Sequence, residues 1–385
     1  MLPWIPVNEP ILKQKELEYV TECISSGWIS SAGHFIEDFE REWASYCGMK
    51  YGLAMSNGTV ALQAAIGCLG LKPGDHVLIP SFTIISCALA VIYNGGIPVL
   101  IDCDPDTWCI DVKQLENKIE DIIKDGKLKA IMPVHIYGHP VDMDPILAIS
   151  KKYGLIVIED AAEAHGAEYL LGRNTEKPTW RRCGGMAHLS AFSFYANKLI
   201  TTGEGGMVLT NDPFYAERLL SLRNLCFNKK RRFHHEELGY NFRMTNIQAA
   251  IGLAQVERIE EIVAKKRYIG QYYRERLKEI PCIKLPVERE WAKQVYWMYG
   301  IVLDENVNMN ANEFAEILKK HNIETRPFFL GIHEQPVFHK MGLFTGEHLP
   351  VTERIARKGL YLPSGLTLNE SQIDYVTEVI KKVLL

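Results

Sequence analysis

From residue 51 onward, short apolar runs alternate with helix-length segments, the pattern of an α/β architecture built on a largely parallel central sheet. The runs predict strands at 51–56, 76–80, 99–102, 130–135, 155–159, 189–193 and 207–210. Most are rich in Val, Ile and Leu with little alternation, as strands buried on both faces require. Between the first two, residues 59–69 carry apolar positions at helical spacing and run into Lys72-Pro73-Gly74-Asp75, a stop and turn signal. Past Asn246 the texture changes to long amphipathic stretches, 247–277 and 311–321, around strands such as 295–302. The chain is therefore expected to form a large α/β domain with an N-terminal arm, residues 1–250, and a smaller α+β domain, residues 251–385. No repeat or Gly/Ser linker parts them, so a rigid interface is expected.

Composition narrows the class of protein. With 47% hydrophobic and 23% charged residues, the chain of 385 residues is of ordinary globular make-up and long enough to bury a core without disulfides or structural metal. A formal net charge of -4 gives no global cationic field, so neither nucleic acid nor an anionic membrane surface is an expected partner. Nine scattered cysteines, none in a Cys-x-x-Cys pair, fit a reducing compartment. No signal-like start and no uncharged stretch near the roughly 20 residues of a membrane span occur, so a cytoplasmic location is expected.

Four segments sit at ends of predicted strands, where open α/β sheets place their ligands. Ser56-Asn57-Gly58-Thr59 opens a helix, and its free N–H groups suit either a phosphate or an ordinary N-cap turn. Residues 158–166 bring Glu159, Asp160, Glu163 and His165 together after an apolar strand. Asp160, Glu163 and His165 allow a metal site, a carboxylate paired with a cationic heterocycle, or helix-start charges favoured by the dipole. Lys198 lies between an aromatic strand and the glycine-rich turn 201–206, which suits a desolvated Schiff-base amine or a surface lysine. The glycines match neither the P-loop nor the Rossmann spacing. Fourth, the run Lys229-Lys230-Arg231-Arg232 is either a solvated loop or a partner for phosphate oxygens. A phosphate turn, a strand-end Asp and a Lys after an aromatic strand are together what pyridoxal 5'-phosphate requires, with the carboxylate on the pyridine nitrogen and the lysine on the aldehyde.

At these residues the sequence resembles the DegT/DnrJ/EryC1/StrS family of sugar-nucleotide aminotransferases, which are pyridoxal-phosphate enzymes of fold type I. The motifs are SNGTVAL (56–62), EDAAEAHG (159–166), FSFYANKLITTGEGGM (192–207) and GYNFRMTN (239–246). The resemblance implies Lys198 as the imine-forming catalytic lysine, Asp160 as the pyridinium partner, and Gly58, Thr59 and Ser193 as phosphate ligands. It also implies Glu163 near the ring hydroxyl, and Asn241 reaching the phosphate of a neighbouring subunit, hence a homodimer with shared sites. Within the family, the Glu in EDAAEAHG, TTGEGGMV (201–208), MTNIQAAIGLAQ (244–255) and IETRPFFLGIH (323–333) resemble members that aminate C4 of a GDP-linked 4-keto-6-deoxy sugar. Those use L-glutamate as donor and release 2-oxoglutarate. Trp28, Arg326 and His333 are candidate substrate contacts, each beside a structural role of equal weight, and Arg231 with the rest of the basic run is a candidate partner for the GDP diphosphate. Two departures stand out: Ile84, where relatives place an aromatic ring, and a longer segment at 172–184.

Overall fold

The computed structural model describes residues 3–385 apart from Lys229 and Arg232, so that half of the basic run lies outside the described residues. The strands of the first half are β1 (Tyr51–Met55), β2 (His76–Pro80), β3 (Ile97–Ile101), β4 (Leu128–Ile131), β5 (Ile156–Asp160), β6 (Glu168–Leu171), β7 (Thr179–Arg182), β8 (Leu189–Ser193) and β9 (Gly206–Thr210). Seven of them form one sheet in the order β1-β9-β8-β5-β4-β2-β3. Only β9 runs antiparallel to its neighbours, so the carboxyl ends of the other six share one edge. Helices α1 (Gln14–Ser26), α2 (His34–Cys47), α3 (Gly58–Gly67) and α4 (Ser86–Tyr93) join the helix Asn246–Val256 in covering the sheet.

Two predicted strands differ from the observed ones for identifiable reasons, one ending early and one starting late. The run at 130–135 leaves the ladder after Ile131, two residues before Pro133, which has no N–H to donate. The run at 295–302 becomes a strand only at Tyr299, because Tyr296 takes a positive φ of 47°. The stretch 247–277 is two helices, Asn246–Val256 and Ile259–Leu277. Arg258 breaks them apart, its guanidinium held by Glu16 at 2.8 Å and by the Ile11 carbonyl.

Strands β10 (Ile283–Lys284), β11 (Ala292–Lys293), β12 (Tyr299–Leu303), β13 (Arg326–Pro327) and β14 (Gly359–Leu362) complete the chain. An antiparallel sheet β10-β12-β14-β13 carries a second apolar core, which also takes in Ile5 from the N-terminal arm. The helix Ile259–Leu277 spans both cores: Ile259, Ile262 and Val263 face the first, Ile269, Tyr273 and Leu277 the second. The longer segment at 172–184 is explained by a hairpin of β6 and β7, with β11 on its other edge. Among the described residues no helix is long and apolar enough to cross a membrane.

Candidate active site

The carboxyl edge of the sheet opens into a cavity of about 750 Å³. Its floor follows from strand ends. β1 runs into Asn57, whose side chain caps α3 by accepting the Val60 N–H at 3.0 Å. The N–H groups of Gly58 and Thr59, in the first turn of that helix, have no intrahelical acceptor and lie at the cavity wall. β8 delivers Ser193 beside them: a Cβ built on Gly58 would lie 2.6 Å from the Ser193 Cβ. Only glycine lets the helix start sit this close to the strand. The Thr59 hydroxyl meets that of Ser86 at 2.8 Å. A helix dipole, free N–H groups and the Thr59 and Ser193 hydroxyls thus converge on one corner, a set suited to phosphate.

β5 ends at Asp160, which is 2% exposed. One carboxylate oxygen accepts the Ala162 N–H at 3.1 Å and the other the Cys87 thiol at 3.2 Å. Burial pushes this carboxyl above its ordinary value, and the two donors and the Lys198 amine only partly offset it. Glu163 accepts the Tyr137 N–H at 2.7 Å and lies 3.6 Å from the Lys198 amine. Burial raises Glu163 to about 7, against the pull of Lys198. Lys198 itself is lowered by burial, the Glu163 and Asp160 carboxylates opposing. Two carboxylates face one amine here, so the buried site is short of positive charge. A protonated heterocycle on Asp160 and a phosphate at the start of α3 complete both needs, so the residues present fit pyridoxal phosphate.

The structure also separates what the sequence grouped. Glu159 points away from the cavity and accepts Gly184, Met186 and Ala187 N–H groups at 2.7–2.8 Å and His135 at 3.0 Å. His165 lies among Trp43, Phe192 and Phe194, each ring 5.5 Å away, and burial drives it down to about 3. Hence the metal reading of Asp160, Glu163 and His165 finds no converging ligand set among the described residues. His333 is buried outside the cavity, its ring bridging the Ser81 hydroxyl at 2.8 Å and Glu353 at 3.1 Å. Arg326 pairs with Glu324 at 3.0 Å, next to the cavity-lining Tyr361 on the neighbouring strand. Trp28, Arg231 and Asn241 are exposed and do not line this chain's cavity. Ile84 does line it, 42% exposed.

Sequence reasoning missed the aromatic wall. Trp297, Phe329 and Tyr361 reach the cavity from the C-terminal part of the chain. Buried Tyr137, at a strained φ of 50°, packs against all three. Cys87 was likewise passed over, being one of many scattered cysteines with no motif around it.

Comparison with known proteins agrees with this geometry. GDP-perosamine synthase of Caulobacter vibrioides is 40% identical over 384 residues, covering 100% of this chain and 99% of that protein. GDP-perosamine synthase of Escherichia coli O157:H7 is 38% identical, covering 99% of each chain. Among solved structures, S. venezuelae DesV superposes with a TM-score of 0.88 at 30% identity, covering 100% of this chain and 99% of that one. The fold is that of the pyridoxal-phosphate-dependent aminotransferases of fold type I. Residues 10–381 match one family along nearly the whole length, and the chain belongs to the DegT/DnrJ/EryC1/StrS aminotransferase family.

Proposed function

We propose that the protein aminates C4 of GDP-4-keto-6-deoxymannose to give GDP-perosamine, with L-glutamate as donor and 2-oxoglutarate as co-product, for O-antigen or other glycan synthesis. The observation that carries this reading is the desolvated Lys198 amine 3.6 Å from Glu163, in the cavity that Asp160 and the start of α3 also line. The 40% identity to a GDP-perosamine synthase supports the choice of substrate.

Bound pyridoxal phosphate supplies an aldehyde for imine formation and a ring that accepts the electrons left when a carbon loses its proton. Gly58 and Thr59 N–H groups, with the Thr59 and Ser193 hydroxyls, hold the phosphate. Asp160 keeps the proton on the ring nitrogen, and that cation in turn restores the carboxylate that burial disfavours. Glu163, 3.6 Å from Lys198 Nζ, would face the ring hydroxyl. Lys198 would hold the aldehyde covalently, and its freed Nζ would move a proton between the donor's α-carbon and the reacting group. In the second half-reaction the same Nζ moves a proton the other way, at C4 of the sugar. The wall of Trp297, Phe329 and Tyr361 keeps water from these transfers.

In this reading Asn241 completes the phosphate site of a second copy, and Arg231 with Arg232 meets the GDP diphosphate from across a homodimer interface. On the same reading the enzyme works in the cytoplasm. Incubation with glutamate and GDP-4-keto-6-deoxymannose is expected to yield the GDP-linked 4-amino sugar by mass spectrometry. Turnover of dTDP-4-keto-6-deoxyglucose alone, or of a UDP-linked sugar alone, would reassign the substrate. Light scattering is expected to find a dimer, and a fully active monomer would refute the shared site.

A further inference from the structure

Lys198 does not hang free in its cavity. Its amine lies over the face of the Trp297 indole, 3.7 Å from the ring centroid. The indole is itself fixed at three points. Its Nε1–H donates to the Asn197 carbonyl at 2.7 Å, so the ring is tied to the residue next to the lysine it supports. That carbonyl also accepts the Asn8 amide of the N-terminal arm at 2.7 Å. The ring packs between Tyr137 and Tyr361, with centroids 6.1 and 6.4 Å away.

The third tie is a buried amine that the reaction does not use. Lys266, 2% exposed on the helix that spans both cores, donates to the Trp297 carbonyl at 2.8 Å and to the Ser364 carbonyl. It has no ion-pair partner among the described residues, and burial lowers it to about 7. Burying an amine with no charged partner is costly. The return is position: Ser364 also takes in the N-terminal arm, donating its N–H to the Val7 carbonyl at 2.9 Å. Arm, second core and Trp297 therefore meet at Lys266.

We propose that Trp297 is a positioning residue for Lys198, the seat on which the amine rests whenever it is not covalently engaged, and that Lys266 fixes this seat by gripping the Trp297 carbonyl. The inference rests on the aminotransferase reading above and adds to it a residue that acts through the lysine. A seated amine is held within reach of the aldehyde. To engage it, the nitrogen lone pair forms the C–N bond, and the carbonyl oxygen leaves as water. An unseated one must first be found among many rotamers.

The test separates seating from cofactor binding. Pyridoxamine phosphate occupies the same site and cannot form the imine, so its affinity for the apoprotein, by calorimetry, reports the pocket alone. The rate at which imine absorbance appears after adding pyridoxal phosphate reports the lysine. Trp297→Leu is expected to slow imine formation about tenfold while pyridoxamine phosphate binding stays within about twofold of wild type. Trp297→Phe, which keeps a ring face, is expected to recover most of the rate, and Lys266→Met, which leaves the ring but frees its carbonyl, to slow it. An unchanged rate in Trp297→Leu overturns the proposal, as does a loss of pyridoxamine phosphate affinity in step with the rate. Should Trp297→Leu fail to fold, a wild-type rate in Lys266→Met overturns it instead. If the wild-type protein binds pyridoxamine phosphate yet forms no imine, the aminotransferase reading itself falls, a separate outcome from loss of the seat.

Discussion

Replacing Glu159 with Gln is expected to destabilise the fold strongly, although the change removes no atom of the cavity wall. Glu159 is fully buried and its two oxygens accept four donors: Met186 and Ala187 N–H on one, Gly184 N–H and His135 on the other. The histidine cannot adapt, because its Nδ1 already accepts the Val141 N–H at 2.9 Å and its Nε2–H must donate. Whichever way the Gln amide turns, its NH2 faces two N–H donors, and two buried hydrogen bonds are lost. At about 1–3 kcal/mol for each buried group left unsatisfied, the cost is roughly 2–6 kcal/mol. That is a large part of the ~5–15 kcal/mol that holds a typical domain together. Urea unfolding followed by far-UV circular dichroism measures it. A loss below about 1 kcal/mol with an unchanged denaturant slope would refute the assignment of Glu159 as the lock on the loop feeding β8.

Further expectations follow from the same geometry. Glu163 is raised from 4.5 to about 7 by burial, so its proton is held in the folded protein to higher pH than in the unfolded chain. The stability this group contributes is full below about 4.5 and is lost as pH rises through about 7; Glu163→Gln should flatten that fall and remove the limb near neutrality from the kcat profile, and an unchanged profile would contradict it. His333→Gln should lower stability by about 1–2 kcal/mol and leave the Michaelis constant for the sugar nucleotide unmoved, because the ring is spent on Ser81 and Glu353; a rise in that constant alone would restore His333 as a substrate contact. Replacing Arg231 and Arg232 together with Ala should raise the sugar-nucleotide Michaelis constant about tenfold with glutamate kinetics unaffected, and no change would remove the basic run from the site.

What the sequence disclosed and what it hid have physical causes. Strands buried on both faces announce themselves as unbroken apolar runs, so all seven strands of the central sheet were legible, with only their ends displaced. Asp160 and Lys198 stood out because a charge straight after such a strand needs a reason. Within the strand-end group 158–166, side chains alternate across β5, so Asp160 faces the cavity and Glu159 the scaffold, while His165, in the turns beyond the strand, packs among aromatic rings. Trp297 carries no local signal, reaching Lys198 across about a hundred residues of sequence. The break after Val256 has neither Pro nor Gly to mark it and is set by Arg258 reaching back to Glu16 and Ile11 near the start of the chain.

The most direct test of the account is the visible spectrum of the purified, cofactor-loaded protein through both half-reactions. Glutamate alone is expected to bleach the imine band of Lys198, and GDP-4-keto-6-deoxymannose added next is expected to restore it, while dTDP-4-keto-6-deoxyglucose leaves it bleached. A band that glutamate does not change would contradict transamination at Lys198 and favour a protein that binds pyridoxal phosphate without turnover.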